Sequence, residues 1–455
     1  MADILQLDRM ARASSGMEGI HYKGKDWLWS QDLQGGGYSN INQLQYDTQS
    51  VSNSGQWLLW SEAFLSVPYT ITATNIGYAS TGGYDTAAAV CWKAGYWNLV
   101  ESCQISCQNR TVNNLASKTN MIQCARALIN PDYQKATYSL LTYGFTQDTA
   151  ESNTFVGGAT TGGYCVNNRI LGSATQGTGP YSTLVSTVNT GLINRAKFMC
   201  FEPPDAIQTT TTLANTYRPF SQLVSTTTMR TSGIAVIPLK YISSFFSEEV
   251  LGMPLKNLRM YLQVNINQGS AVYNTTTHQT TASTFPFGTI PITLTDAGIA
   301  NIISGDTSTV TLAIGTYNGT TTPTRLYYPQ VQLPAQLEAK IPQVIKHTVC
   351  YRDMQYFQLQ GVTAGAQFNW QISNAIPGCK RLFVLPLLAA SANTATVNLP
   401  SWGSLISSCP GTGDPNMSLS NISLQVNTRQ LWSNNLLYDL TLPGRNIRRE
   451  KRVIG

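Results

Sequence analysis

The chain has 455 residues, of which 42% are hydrophobic and 11% are charged, with a net charge of +6. This length and apolar content allow large buried cores, favour two domains and exclude a linker or an unfolded tail. An average soluble domain carries roughly 25% charged residues, so a free monomer this poor in charge would be weakly protected against association. The composition therefore suits a β-protein whose surface is largely covered by copies of itself.

Residues 1–40 are predicted to form an N-terminal arm. Its first residues mix acidic and basic side chains with apolar ones, which is not the pattern of a signal peptide. No later segment approaches 18 apolar residues, and the nine cysteines are odd in number and irregularly spaced. We therefore expect synthesis in a reducing, intracellular compartment.

The segment 19–26, GIHYKGKD, is close to a phosphate-binding loop. It ends in Asp26, where such a loop requires a Ser or Thr hydroxyl that reaches Mg²⁺, and a carboxylate there would repel phosphate. No predicted strand precedes the segment. We predict no nucleotide site here, and the chain has neither a G-x-S-x-G nor an H-E-x-x-H motif.

Alternating apolar and polar residues predict strands, each with one buried face, at 65–71, 99–107, 258–266, 310–314 and 422–426. Continuous apolar runs at 234–239 and 381–388 predict strands buried on both faces between packed sheets. Short helices are predicted as inserts at 4–13, 121–128 and 241–251. Many short strands between Gly, Pro, Asn and Thr clusters are typical of β-sandwiches.

Cys103 and Cys107 fall on one face of the strand predicted at 99–107, so they are interpreted as small buried hydrophobes. Cys91 and Cys124 are close enough in sequence to leave a metal site open as the alternative. The three histidines are far apart and have no metal-ligand spacing, which gives a histidine-based metal site little support.

Three low-complexity stretches, 148–190, 269–284 and 389–416, are polar and glycine-rich, and we predict them to be long surface loops. The second separates two strand-rich blocks of comparable size, so it marks the predicted domain boundary. The first sandwich is then expected at 41–270, the second at 271–443 and a basic tail at 444–455.

The excess positive charge is concentrated in the last eleven residues, where Glu450 is the one acidic residue. The basic residues of this tail are Arg445, Arg448, Arg449, Lys451 and Arg452. Such a terminal run predicts an arm that contacts phosphates or acidic partner surfaces. A solvated tail with no specific partner is the alternative.

An ordered set of segments resembles the double jelly-roll major capsid proteins of polinton-like viruses, virophages and related protist-infecting DNA viruses. The segments are 95–102 with the helix entry at 119–121, then 233–246 and 255–264, and in the second half 346–354, 377–386 and 417–431. Together they span roughly residues 55 to 440. No single segment decides the resemblance; their order does.

The resemblance implies an all-β fold of two tandem jelly rolls with short helical inserts and long surface loops. It further implies homotrimeric capsomers of near-hexagonal outline that tile the icosahedral capsid of a dsDNA virion, assembled inside the host cell, with a separate penton protein at the fivefold vertices. Arg9, Arg12 and the basic tail would then contact neighbouring capsomers, minor or cement proteins, an inner membrane or packaged DNA. No catalytic residue, cofactor or metal is implied.

Two hypotheses from other classes compete with this one. A secreted β-sandwich adhesin that binds glycans through exposed aromatic faces predicts a leader sequence and oxidised cysteines. Trp57, Trp60, Trp92 and Trp97 lie among strand residues, which favours a core or interface position over such a platform. A glycoside-acting enzyme needs two carboxylates about 5 to 10 Å apart, and carboxylates are scarce in this chain.

Overall fold

The computed structural model describes residues 23–74, 90–123, 144–145, 153–156, 164–167, 221–247, 251–294, 307–338, 351–372, 382, 384 and 419–438. Gaps within these ranges fall at 36, 39–40, 94, 116–117, 226–227, 275–278, 288, 318–319, 352–353, 364, 427–428 and 431–435. The predicted helix at 4–13, the basic tail and the predicted loop at 389–416 lie outside the described residues. So do most of the loop predicted at 148–190 and most of the strand predicted at 381–388.

The described chain is built mainly from strands joined by short helices. The strands are β1 (Gly24–Gln31), β2 (Gln43–Asp47), β3 (Trp57–Leu58), β4 (Phe64–Thr74), β5 (Val90–Trp92), β6 (Val100–Cys107), β7 (Arg110–Leu115), β8 (Asn153–Val156), β9 (Tyr164–Asn167), β10 (Ser221–Ser225), β11 (Thr228–Pro238), β12 (Leu255–Lys256), β13 (Met260–Ile266), β14 (Gly269–Asn274), β15 (Gln279–Ser283), β16 (Ile292–Leu294), β17 (Thr307–Ile314), β18 (Thr316–Tyr317), β19 (Thr320–Thr321), β20 (Arg325–Gln332), β21 (Leu419–Ile422), β22 (Gln425–Val426), β23 (Arg429–Gln430) and β24 (Leu436–Tyr438). The helices are α1 (Gln49–Ser52), α2 (Leu239–Ile242) and α3 (Ala335–Glu338), with 3-10 helices at Trp60–Glu62, Tyr96–Leu99 and Ser244–Phe246. Residues 119–123 are also helical. The predicted all-β class with short helical inserts is confirmed.

Two antiparallel sheets carry the fold. In the first, β1, β20, β4 and β11 are successive neighbours, and in the second the order is β2, β13, β6 and β7. A jelly roll has eight strands, conventionally lettered B to I, in two sheets with the orders B-I-D-G and C-H-E-F. Lettered in chain order, these eight strands give both orders. The segment from β1 to β20 is therefore a jelly roll.

The segment 269–284 is part of a sheet, so its interpretation as a surface loop is wrong. Strand β14 pairs with β15 on one side and with β17 on the other, and β17 continues along β4 beyond the point where β20 ends. The segment is rich in threonine, which suggested a loop because of its polarity. A β-branched side chain nevertheless fits a pleated sheet well, and several residues of β15 are exposed.

The first sheet contains strands from both of the predicted domains and from the predicted arm. It does not divide at residue 270, and β1 lies within residues 1–40. The jelly roll thus extends from 24 to 332 instead of from 41 to 270. After 338 the described strands are β21 to β24, which form two antiparallel pairs.

The core lies between the two sheets, where the inward faces of both meet in one apolar cluster. Strand β13 shows the predicted alternation along its whole length, with every second residue buried. Trp60, Trp92 and Trp97 are each at most 1% exposed, and Trp57 is 9% exposed, which confirms their predicted burial. Within the described residues no helix is long and apolar enough to span a membrane.

Cys103 and Cys107 are buried in this core, as predicted. Burial raises the pKa of the Cys107 thiol to about 12 and that of Cys103 further, so both thiols stay protonated at neutral pH. The described residues contain no group of three metal-ligating side chains. Cys124 and the side chain of Cys91 lie outside them.

A buried polar cluster ties the connection between β1 and β2 to the start of β20. The hydroxyl groups of Tyr38 and Tyr46 lie 3.3 Å and 2.9 Å from Oγ1 of Thr324, and the backbone N–H of Thr324 donates to Tyr38 at 3.1 Å. The carboxylate of Asp32 accepts from the backbone N–H of Gln45 at 2.6 Å. Burial raises the pKa of Asp32, although its backbone hydrogen bonds act in the opposite direction. These contacts fix the connection that follows β1 to the residue that precedes β20.

Candidate assembly surface

An aromatic row crosses the outer face of the first sheet. The register places Trp29 of β1 opposite Tyr327 of β20, Tyr327 opposite Phe64 of β4, and Phe64 opposite Pro238 of β11. We call these four residues, together with Trp27, the outer aromatic row. The neighbouring positions Leu326, Leu65 and Ile237 point into the core. The outer face of an antiparallel sandwich is normally polar, so this row marks a surface suited to a partner.

Three aromatic rings of the row, those of Trp27, Phe64 and Tyr327, pack against one another. Phe64 and Tyr327 stack with centroids 5.1 Å apart and an angle of 12° between their planes. Trp27 contacts Phe64 at 5.3 Å with a tilt of 58°. Trp27 and Trp29 remain 47% and 48% exposed. They are pre-ordered anchors, which is the kind of residue that dominates protein interfaces.

Cations lie against both exposed indoles. The guanidinium carbon of Arg325 is 4.3 Å from the ring centroid of Trp29, and Nζ of Lys25 is 5.5 Å from that of Trp27. Lys25 also forms an ion pair with Glu62. The rings are therefore already engaged by protein groups. This arrangement fits a protein interface, where Trp and Arg are enriched, better than an open stacking platform for sugars.

The apolar surface continues onto β11. Ile234 lies opposite Pro68 and is 48% exposed, while Ala235 and Ile237, which follow it in the strand, are buried. The prediction that 234–239 is buried on both faces is therefore wrong at Ile234. A continuous apolar run is equally consistent with a strand buried between two protein layers and with a strand whose outer face is exposed in the single chain and binds a partner.

Strand β1 also presents a long edge. It pairs with β20 over all eight of its residues without a register shift, and β20 is its one strand partner in the described part of the chain. An edge of this length with exposed aromatic side chains is a template for contact with another chain. The edge and the row therefore form one continuous surface.

The structure does not test the residues that the sequence singled out for partner contacts. Arg9, Arg12, Arg445, Arg448, Arg449, Lys451 and Arg452 all lie outside the described residues. Trp27, Trp29 and Arg325 were missed. A pattern in the sequence could have predicted a strand with an aromatic outer face. In this pattern Lys25, Trp27 and Trp29 alternate with Leu28 and Ser30.

No family model matches this sequence, and no curated protein matches it. Solved structures do. A chain of the 3.5 Å cryo-EM structure of the Sputnik virophage is 14% identical with a TM-score of 0.34, over 70% of this chain and 49% of that chain. The crystal structure of the mavirus major capsid protein is 11% identical with a TM-score of 0.35, over 72% and 50%. The match thus spans about half the length of each of these structures.

Proposed function

We propose that this chain is the major capsid protein of a double-stranded DNA virus, a structural subunit that forms a homotrimeric capsomer. The observation that carries the proposal is a jelly roll from 24 to 332 whose B-I-D-G sheet has an aromatic outer face. Jelly rolls are found in viral capsids and in lectins. A shell subunit needs apolar surfaces for its neighbours, and sparse charge limits repulsion between identical copies.

A second jelly roll would have to be formed by residues after 332. Two sandwiches per chain would place six around a threefold axis and give each trimer a near-hexagonal outline. Such tiles close into an icosahedral shell when a separate penton protein fills the fivefold vertices. We accordingly place the mature protein in the virion, with assembly inside the host cell.

The two rival functions have less support from the described residues. A glycan-binding adhesin would use open indole faces, whereas Trp27 and Trp29 are engaged by Lys25 and Arg325. A glycosidase would need a pair of carboxylates in a cleft. Glu62 is instead paired with Lys25, and Glu101 is buried and accepts from the backbone N–H of Lys118 at 3.0 Å. We infer a structural, non-enzymatic role.

Negative-stain microscopy of the purified full chain tests this proposal. We expect threefold particles with a hexagonal outline, because weak contacts repeated around a closed ring become collectively strong. Binding of the purified chain to a glycan array is measured in parallel, because the adhesin hypothesis predicts such binding. Monodisperse monomers that bind a glycan would overturn the proposal in favour of an adhesin.

We propose that the basic tail acts at the level of the shell and not of the trimer, through packaged DNA, an inner membrane or a neighbouring protein. Removal of Arg445 to Gly455 should leave trimers intact and reduce the yield of closed shells. A matched variant keeps the length and replaces the five basic residues with glutamine, so that charge is separated from length. Normal shells from both variants would contradict a role for the tail.

A further inference from the structure

We propose that the outer aromatic row and the edge of β1 form a docking site for an acidic, extended segment of another capsid component, a protein distinct from this chain. The inference rests on the proposed role in a capsid and adds to it the chemistry of a partner. Three features carry it, and they lie side by side on the B-I-D-G sheet. They are a guanidinium without an acidic partner, a strand edge and two exposed indoles.

The guanidinium of Arg325 contacts no carboxylate among the described residues. Its central carbon is 4.3 Å from the ring centroid of Trp29, and its Nη1 donates to the hydroxyl of Tyr327 at 3.4 Å. Its Nε is buried, and no described residue accepts a hydrogen bond from it. A guanidinium has five N–H donors and binds carboxylates in a bidentate manner. A partner can therefore still pair with Arg325, whereas Lys25 is already paired with Glu62.

A partner that covers Arg325 must bring a carboxylate. A neutral surface would remove water from the guanidinium without compensating its charge, which is unfavourable. The net charge of this chain is +6, so an acidic partner is also attracted before contact. Charge complementarity therefore favours an acidic segment over a neutral one.

The described part of this chain does not supply that carboxylate, either from the same copy or from a second one. The acidic residues that are buried or paired with a basic side chain are Asp32, Asp47, Glu62, Glu101 and Glu338. Asp26 alternates with Trp27 in β1, so its side chain is directed away from the row. The described residues after 338 include no Asp or Glu. The carboxylate is therefore assigned to a different protein.

The edge of β1 offers backbone partners to an extended segment. Pro329 lies opposite Trp27, and its carbonyl accepts from the backbone N–H of Leu59 on the side of β3 at 3.0 Å. Proline has no N–H, so Trp27 and Pro329 form a pair without hydrogen bonds. Such pairs alternate with hydrogen-bonded ones in an antiparallel ladder. The residues whose backbone N–H and C=O groups face the open edge are thus Lys25, Trp27, Trp29 and Gln31.

A strand added to this edge places its side chains beside the row. It would lie about 4.8 Å from β1 and present every second side chain on the outer face. The guanidinium of Arg325 extends from β20 over Trp29 of β1, and so toward the added strand. An Asp or Glu on that strand would pair with Arg325, and apolar residues two positions away would cover the indoles of Trp27 and Trp29.

Selection of a random eight-residue peptide library on the purified full chain tests the site. We expect the selected peptides to share an Asp or Glu with apolar residues two positions away. The strongest peptide is then synthesised with its carboxylate and with the matching amide. The amide should bind the wild type roughly 10-fold or more weakly, the loss expected for a hydrogen bond to a charged group. This preference should vanish in Arg325→Gln.

Arg110→Gln is the matched control, because it removes an exposed arginine on β7, outside the row. It should keep the preference for the carboxylate, and thermal unfolding checks that both variants are folded. Selected peptides without an acidic residue, no selected peptides at all, or the same preference in Arg325→Gln as in the wild type would overturn the inference.

Hydrogen exchange of the wild-type chain tests the edge separately. At a peptide concentration of about ten times its Kd, exchange at the N–H groups of Trp27 and Trp29 should slow by roughly 10-fold. The N–H groups of Leu28 and Ser30 face β20 and should change less. Protection that leaves β1 unaffected would refute the docking site.

Negative-stain images of the same preparation keep this inference apart from the proposed function. Trimers that select no acidic peptide refute the inference and leave the capsid proposal intact. Monomers that bind an acidic peptide at β1 uphold the docking site and refute the capsid proposal.

Discussion

Trp60→Ala should lower the free energy of unfolding by about 3 to 5 kcal/mol, the range found when a buried tryptophan or phenylalanine is truncated to alanine. Trp60 is fully buried and lies 5.1 Å from Tyr328, between ring centroids. It occupies the 3-10 helix between β3 and β4, so its side chain joins the connection to the centre of the core. Denaturant unfolding at a fixed protein concentration measures the loss.

Trp60→Phe is the matched control. Among the described residues the indole N–H of Trp60 has no hydrogen-bond partner, so phenylalanine removes a buried donor and keeps most of the packing. We expect the free energy of unfolding to fall by about 1 to 2 kcal/mol. This loss is smaller than that of the alanine variant because most of the packing volume is kept and a buried, unpaired N–H is removed. A phenylalanine variant as unstable as the alanine variant would show that the site depends on the N–H and not on packing.

Gly315→Ala should destabilise the jelly roll by about 2 to 5 kcal/mol, from two additive causes. Gly315 follows β17 with φ +69°, a conformation that alanine adopts at a penalty of roughly 1 to 2 kcal/mol. An added Cβ would also lie 1.8 Å from Cδ2 of Tyr38. Tyr38 cannot move freely, because its hydroxyl is bonded to the backbone N–H of Thr324. Thermal and denaturant unfolding measure the change.

Gly35→Ala separates the two causes. Gly35 has φ +70°, and nothing lies within 4 Å of its Cβ position, so it carries the backbone penalty alone. The same Gly315→Ala change in a Tyr38→Ala background should then cost no more than Gly35→Ala. Equal losses for Gly315→Ala and Gly35→Ala in the wild-type background would contradict the predicted clash.

Local alternation was enough to predict several strands. Met260–Ile266 and Thr307–Ile314 each bury alternate residues on one face, and this pattern is set by the pleat of the strand itself. The burial of Cys103 followed from the same argument. Each of these predictions needed information from fewer than a dozen consecutive residues.

Pairing between distant strands could not be predicted in the same way. Strand β4 pairs with β20 and β17, which lie more than 230 residues later, and this pairing moves the limits of the first jelly roll from 41 and 270 to 24 and 332. Strand β15 looked like a loop because most of its residues are polar, and it lies at an edge of the sheet where Thr281 and Ser283 are exposed. The aromatic row was missed because its members come from four strands and meet only in the folded sheet.

The central claim is that this chain is a jelly-roll capsid subunit that assembles with copies of itself. An electron cryomicroscopy map of the assembled full-length protein tests this claim most directly. The claim predicts trimers in which strand 24–31 lies beside 325–332. A map of isolated monomers, or of a mixed helix-and-sheet unit with an open polar cleft, would contradict it.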